Sequence, residues 1–119
     1  MAPAYNTFDA DVAEKAQLAG ARLLEKVNIA SRPLKDILNE HLTENEKIDF
    51  LSVDVEGFDL EVLKSNDWIR YKPEYVLVEC LSIPLPKISE DNTYIYLSSL
   101  GYSIFAKTVN TVFFRHAEY

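Results

Sequence analysis

The strongest constraint in this 119-residue chain is a pair of apolar runs separated by a stretch with a different period. The first, "KIDFLSVDV" at 47–55, shows little polar alternation, as expected of a strand covered on both faces. After Gly57 the apolar positions Phe58, Val62 and Leu63 follow helical spacing, and the pattern stops around "SND". The second run, "EYVLVECL" at 74–81, reads as another fully buried strand. The two runs begin about 25 residues apart with a helix between them, which is the signature of a parallel βαβ pair.

The flanking segments extend this α/β pattern. Val12, Ala16, Ala19 and Leu23 form one stripe of a helix from Asp9 to about Lys26, with Asp9 or Asp11 as its cap. "KVNIA" at 26–30 is a short strand candidate. Pro33 suits a first helical position, and Leu34, Ile37, Leu38 and Leu42 mark one face of a helix ending near Thr43. Pro84 and Pro86 break the chain, Ser89 is a possible cap for a third helix, and Gly101 stands where a left-handed terminator is wanted. "YSIFAK" at 102–107 and "TVFFRH" at 111–116 predict an antiparallel hairpin turning near Asn110. With no repeat, low-complexity tract or linker, residues 1–119 read as a single domain.

Composition narrows the function classes. A chain that is 48% hydrophobic and 26% charged is ordinary for a soluble globular protein. Twelve basic against nineteen acidic side chains give a net charge of −7, a surface that repels phosphate backbones, so no nucleic-acid partner is expected. One cysteine, Cys80, permits neither an intrachain disulfide nor a cysteine-based zinc site, which suits a reducing, cytoplasmic setting. No leader pattern and no long apolar run stands in the sequence, so no membrane partner is expected.

Chemistry concentrates at the ends of the two strands. Asp54 and Glu56 close the first and Glu79 closes the second, and ligands of open α/β sheets sit beyond those carboxyl ends. Neighbouring strands lie about 4.8 Å apart, so the three carboxyl groups can converge on one sheet edge. Gly57 permits a tight strand-to-helix turn and a close ligand approach. Carboxylates there accept hydrogen bonds from ribose hydroxyls, attract an ammonium or sulfonium centre, or hold a hard metal. The same spacing also serves a purely structural role, with Asp54 and Glu56 capping the next helix and Glu79 paired to a Lys or Arg.

"IDFLSVDVEGFDLEVLKSNDW" followed by "YKPEYVLVEC" closely resembles the FkbM-type S-adenosylmethionine-dependent methyltransferases. "NTF" near residue 7, "PLKDIL" at 33–38 and "GYSIFAKTVNTVFF" look like further segments of that family in the same order, over nearly the whole chain. The resemblance implies a partial Rossmann-like methyltransferase fold: a mainly parallel sheet with a C-terminal antiparallel hairpin and helices on both faces. In that family's strand order, 3-2-1-4-5-7-6, the two runs are the fourth and fifth strands. It implies O-methyl transfer to a small molecule or sugar, with Asp54, Glu56 and Glu79 as catalytic candidates. Asp54, Val55 and Gly57 become the candidate contacts to S-adenosylmethionine, and no metal is implied.

One departure stands beside the match. The family's Gly-rich first turn, of the Asp-x-Gly-Ala-Asn kind, has no counterpart among glycines 20, 57 and 101. The chain looks like the C-terminal half of the domain, which implies weak unaided binding of the cofactor. The strand at 50–55 would then be a bare edge, which implies a homo-oligomer through that edge or a separate N-terminal half. A non-catalytic oligomerising module derived from a methyltransferase is the alternative function. A Mg²⁺ or Mn²⁺ phosphoesterase site is a weaker one, since no Lys, Ser or Thr cradles a phosphate around Gly57. His41 and His116 read as solvated histidines, Cys80 as a buried structural thiol and Trp68 as a packing anchor.

Overall fold

A computed structural model describes residues 7, 9–23, 25–80 and 83–119. The chain divides into two compact units, one ending at Ser31 and the other spanning Arg32–Tyr119. In the first, α1 (Ala10–Leu18) starts at Asp9, whose carboxylate accepts from the backbone N–H groups of Asp11 and Val12. The helix is half the length that the apolar stripe predicts, and it buries no residue. Gly20, at φ 99°, follows its end in a left-handed conformation, so the later stripe positions fall outside it. The "KVNIA" segment forms no strand.

The Arg32–Tyr119 unit runs α2 (Leu34–His41), β1 (Phe50–Val53), α3 (Asp59–Lys64), β2 (Tyr75–Glu79), a 3₁₀ helix (Leu85–Glu90), α4 (Asn92–Ser99), β3 (Tyr102–Lys107) and β4 (Thr111–His116). Pro33 precedes α2 rather than opening it and has no side chain with which to cap it. Ser65, at the end of α3, does so instead, accepting from the Leu34 N–H at 2.9 Å through its hydroxyl and from the Lys35 N–H through its carbonyl. The cap of α4 is Asp91, whose carboxylate accepts from the Tyr94 N–H; Ser89 lies within the 3₁₀ helix.

The four strands form one sheet in the order β1-β2-β4-β3. β1 and β2 pair in parallel across the α3 crossover, whereas β4 is antiparallel to both of its neighbours. The expected mainly parallel sheet is therefore a mixed one with a single parallel ladder. The 3₁₀ helix and α4 carry the chain from β2 to β3, one strand position further out, and the tight β3–β4 turn then reverses it so that β4 inserts between them, antiparallel to both. A bulge at Phe105 shifts the β3–β4 register between Ile104 and Ala106.

Burial alternates along β2 and β4, so neither is covered on both faces. The inner face carries Val53, Val76, Val78, Val112 and Phe114, packed against Leu63 of α3, Ile88 of the 3₁₀ helix and Leu97 of α4. Burial of each such side chain contributes about 1.5–3 kcal/mol before entropy is counted. The outer face carries Phe50, Phe105, Tyr75, Leu77 and Phe113; Phe50 is 63% exposed and Phe105 60%. Helices on both faces, the expectation from continuous apolar runs, are not found within this unit. β1 is an edge strand, as expected.

Trp68 is the predicted packing anchor. Its indole N–H donates to the Leu63 carbonyl at 2.8 Å, and its ring meets Tyr102 edge-on at 5.6 Å. Tyr102 in turn donates to the Pro73 carbonyl at 2.6 Å, and burial pushes its phenol pKa up. His116 is not a solvated tail residue: it closes β4 and is 6% exposed. Its Nδ1 accepts from the Glu118 N–H at 3.1 Å, which leaves Nε2 to donate to the Leu100 carbonyl at 3.0 Å.

Gly101 makes that arrangement possible. It sits at φ 92°, and a Cβ there would come within 2.9 Å of His116 Nε2. Gly101→Ala therefore combines backbone strain with displacement of a buried ring, and the expected loss is roughly 1–3 kcal/mol. A drop in the midpoint of chemical denaturation at unchanged slope checks this; an unchanged midpoint refutes it.

Candidate functional site

The parallel register pairs Val53 with Val78, so the next residue of β1, Asp54, lies beside Glu79 at the carboxyl ends of both strands. Side chains alternate along a strand, which puts Asp54 and Glu79 on the face that carries Ser52 and Leu77. The Glu79 carboxyl is within hydrogen-bonding reach of the Asp54 carboxyl. A recess of about 110 Å³ opens between them, lined by Ser52, Asp54, Leu77, Glu79 and Thr111 together with Val53 and Val78.

A larger cleft of about 280 Å³ lies at the same end of the sheet, and Glu79 and Val78 line both. Gly57, Asp59 and Leu60 supply one wall from the start of α3. Ile83, Ile88, Asp91 and Thr93 line it from the segment that leads into α4, and Val112 and Phe114 line it from β4. Cys80 lines it too: burial, then the Asp91 charge, push its thiol pKa up, so it stays protonated and is a poor nucleophile. The structural thiol predicted for this position fits.

The β1–α3 turn is strained. Glu56 has φ 51° and Gly57 φ 95°, two consecutive left-handed residues, of which only the glycine is free of a steric penalty. For Glu56 the cost is on the order of 1–3 kcal/mol. Two hydrogen bonds hold the turn: the Asp59 carboxylate accepts from the Val55 N–H at 3.0 Å, and the Val55 carbonyl accepts from the Phe58 N–H. Val55 thus has both main-chain polar groups engaged in the turn, while its side chain packs against the core. Space around Gly57 is open, with nothing within 4 Å of where a Cβ would stand.

Of the three predicted catalytic carboxylates, Asp54 and Glu79 come together. Glu56 lies on the exposed turn and reaches the pair through its charge. The structural roles that the spacing also allowed are absent among the described residues: no side chain caps α3, and Glu79 has no ion-pair partner. Burial first, and then Asp54, Glu56 and Asp59, raise the Glu79 pKa. Asp59, which sequence reasoning did not single out, is raised by burial, opposed by the Val55 N–H, and raised again by Asp54 and Glu56. An Asp at the first position of the helix behind a Glu-Gly turn was the available signal for it. No group of three ligating side chains suited to a metal ion occurs among the described residues.

Raised native pKa values mean that the folded chain binds protons more tightly than the unfolded chain. The site therefore costs stability above those values, and the cost fades as pH falls through them toward the ordinary carboxylate range. Glu79→Gln removes part of the repulsion, so it is expected to stabilise at pH 7 by roughly a few tenths of a kcal/mol. The gain should vanish near about pH 4, where carboxyls protonate in both states. Paired thermal melts at the two pH values test this, and a variant less stable than the parent at pH 7 contradicts it.

The family model of the methyltransferase FkbM domain matches residues 2–104. No curated protein and no solved structure is matched by the chain. No helix among the described residues is long and apolar enough to cross a membrane.

Proposed function

The chain belongs to the FkbM methyltransferase domain family, and from that premise we propose that it serves S-adenosylmethionine-dependent O-methyl transfer to a small molecule or sugar. The observation that carries this reading is the Asp54–Glu79 carboxyl pair at the tips of two parallel strands, beside a cleft with an apolar floor. The strand order supports it as well. β1-β2-β4-β3 repeats the last four places of the family's 3-2-1-4-5-7-6 sheet, the pattern of a Rossmann-like half. The single buried cysteine is in keeping with a cytoplasmic setting.

When bound, the cofactor supplies an electrophilic methyl group on a positively charged sulfur. The chain's residues fit such a group in charge: Asp54, Glu56, Asp59 and Glu79 are clustered carboxyls with no ion-pair partner among the described residues. Asp54 and Glu79 orient the acceptor hydroxyl and take the proton that it releases as its oxygen gains the methyl group. A raised pKa suits Glu79 to that task, because a base titrating nearer neutral pH accepts the proton with less loss of driving force. Asp59 holds the turn that aims Asp54. With no Gly-rich turn to grip the nucleotide, binding of the cofactor by this chain alone is expected to be weak.

Methyl transfer from labelled S-adenosylmethionine at millimolar concentration onto hydroxylated acceptors tests the reading. Asp54→Asn and Glu79→Gln should each lower turnover by about 10²-fold or more. Turnover indifferent to both substitutions would remove the pair from the chemistry.

The exposed β1 edge favours a second reading, a module that associates with further copies of itself and does no chemistry. An edge strand bearing an apolar residue as open as Phe50 is a template for pairing. Sedimentation should then show a dimer or larger species that Phe50→Lys converts to monomer; a strictly monomeric parent excludes this route.

A further inference from the structure

We propose that the outer face of the sheet is a self-association surface, on which a second copy of this chain packs face to face with its strands reversed. The face is laid out in rows across the strands. Its amino end, in the direction of β2, carries Phe50, Tyr75 and Arg115; its middle carries Leu77 and Phe113; its carboxyl end carries Asp54 and Glu79. Phe105, the extra residue of the β3 bulge, sets its ring edge-on to Tyr75 at 5.4 Å and extends the apolar area. The Arg115 guanidinium lies over the Tyr75 ring, and among the described residues only its Nη2 has a partner, the Glu74 carboxylate at 3.2 Å. Asp54 and Glu79 have no ion-pair partner among the described residues. One cation and two acids are therefore held at opposite ends of one face, about 13 Å apart along the strands, with an apolar row between them.

Of the two-fold axes that lie in the plane of such a face, this pattern suits only one. An axis across the strands, over Leu77 and Phe113, reverses the second copy. The apolar rows then coincide, and Arg115 of each copy reaches the Glu79–Thr111 row of the other. An axis along the strands sets Asp54 and Glu79 against their own counterparts, which like charge opposes. Stacked sheets lie about 10 Å apart, a gap that an arginine from one side and a glutamate from the other span. Four strands about 4.8 Å apart give the face a footprint of roughly 300 Å². That is below the roughly 800 Å² per partner of a standard interface, so the association is weak, with a Kd on the order of 0.1 mM. It is distinct from pairing at the β1 edge, because it uses side chains of the face and no main-chain ladder. Packed in this way, each copy covers the recess of about 110 Å³ between Asp54 and Glu79 of the other, so the dimer withholds the carboxyl pair and the free chain presents it.

Sedimentation of the full chain between about 10 µM and 1 mM tests this. A dimer is expected at the upper end, and Phe105→Lys should weaken it by about tenfold or more. Phe105 lies on β3, at the far side of the sheet from β1, so that variant leaves the β1 edge intact. Arg115→Glu alone and Glu79→Lys alone should each stay monomeric, and an equimolar mixture of the two should associate again. Both contacts across the mixed dimer then join opposite charges, a rescue that misfolded chains do not give. A parent that is monomeric at every concentration overturns the proposal. Association indifferent to Phe105→Lys overturns it too and assigns the contact to the β1 edge. A mixture that stays monomeric while both variants keep the parent's circular dichroism also overturns it; where either variant unfolds, the Phe105→Lys result decides.

Discussion

The parallel ladder between β1 and β2 is the interaction on which the rest depends. Pairing Val53 with Val78 sends two strands out of the sheet side by side, each followed by a carboxylate. Slipping that register by one residue would turn Val76 and Val78 out of the core and carry Glu79 to the other face. Core packing therefore fixes which strand ends stand side by side, and with them Asp54 and Glu79. Phe114 and Val112 on β4 lock the register from the other side, because they meet Val76 and Val78 across the second ladder.

Much of this was legible in the residues. The two apolar runs with a helical stretch between them gave the parallel pair, and the hairpin followed from "YSIFAK" and "TVFFRH". Two errors share one cause. A continuous apolar run predicts a strand covered on both faces, yet Leu77 and Phe113 lie on the more open face, so apolarity alone does not report cover. His116 reads as a solvated tail residue because it is polar and stands after the last apolar positions. Parity would have corrected this, since Val112, Phe114 and His116 alternate onto the same inward face.

Other features were out of reach of local reading. Ser65 caps a helix that begins 31 residues earlier, and Asp91 displaces Ser89 as the cap of α4. Nothing local singles out Asp59 for its role, and only the fold shows that it ties the Val55 N–H and so holds a turn containing a left-handed glutamate. These are tertiary facts, decided by which elements meet rather than by propensity.

The two ends of the sheet are built on opposite terms. At the amino end of β2, Glu74 pairs with Arg115 at 3.2 Å, Tyr102 donates to Pro73, and His116 bridges the Leu100 carbonyl and the Glu118 N–H. Most polar groups there are matched donor to acceptor, although the buried Arg115 Nε is left without a partner. At the carboxyl end, Asp54, Asp59 and Glu79 are acceptors gathered without a cation, next to a strained turn and two open concavities. A fold that needed only to be stable would gain by neutralising one of them. Stability is thus lower at the end of the sheet where chemistry is expected, and the matched amino end, together with the Phe114 core, supplies what holds that end in place.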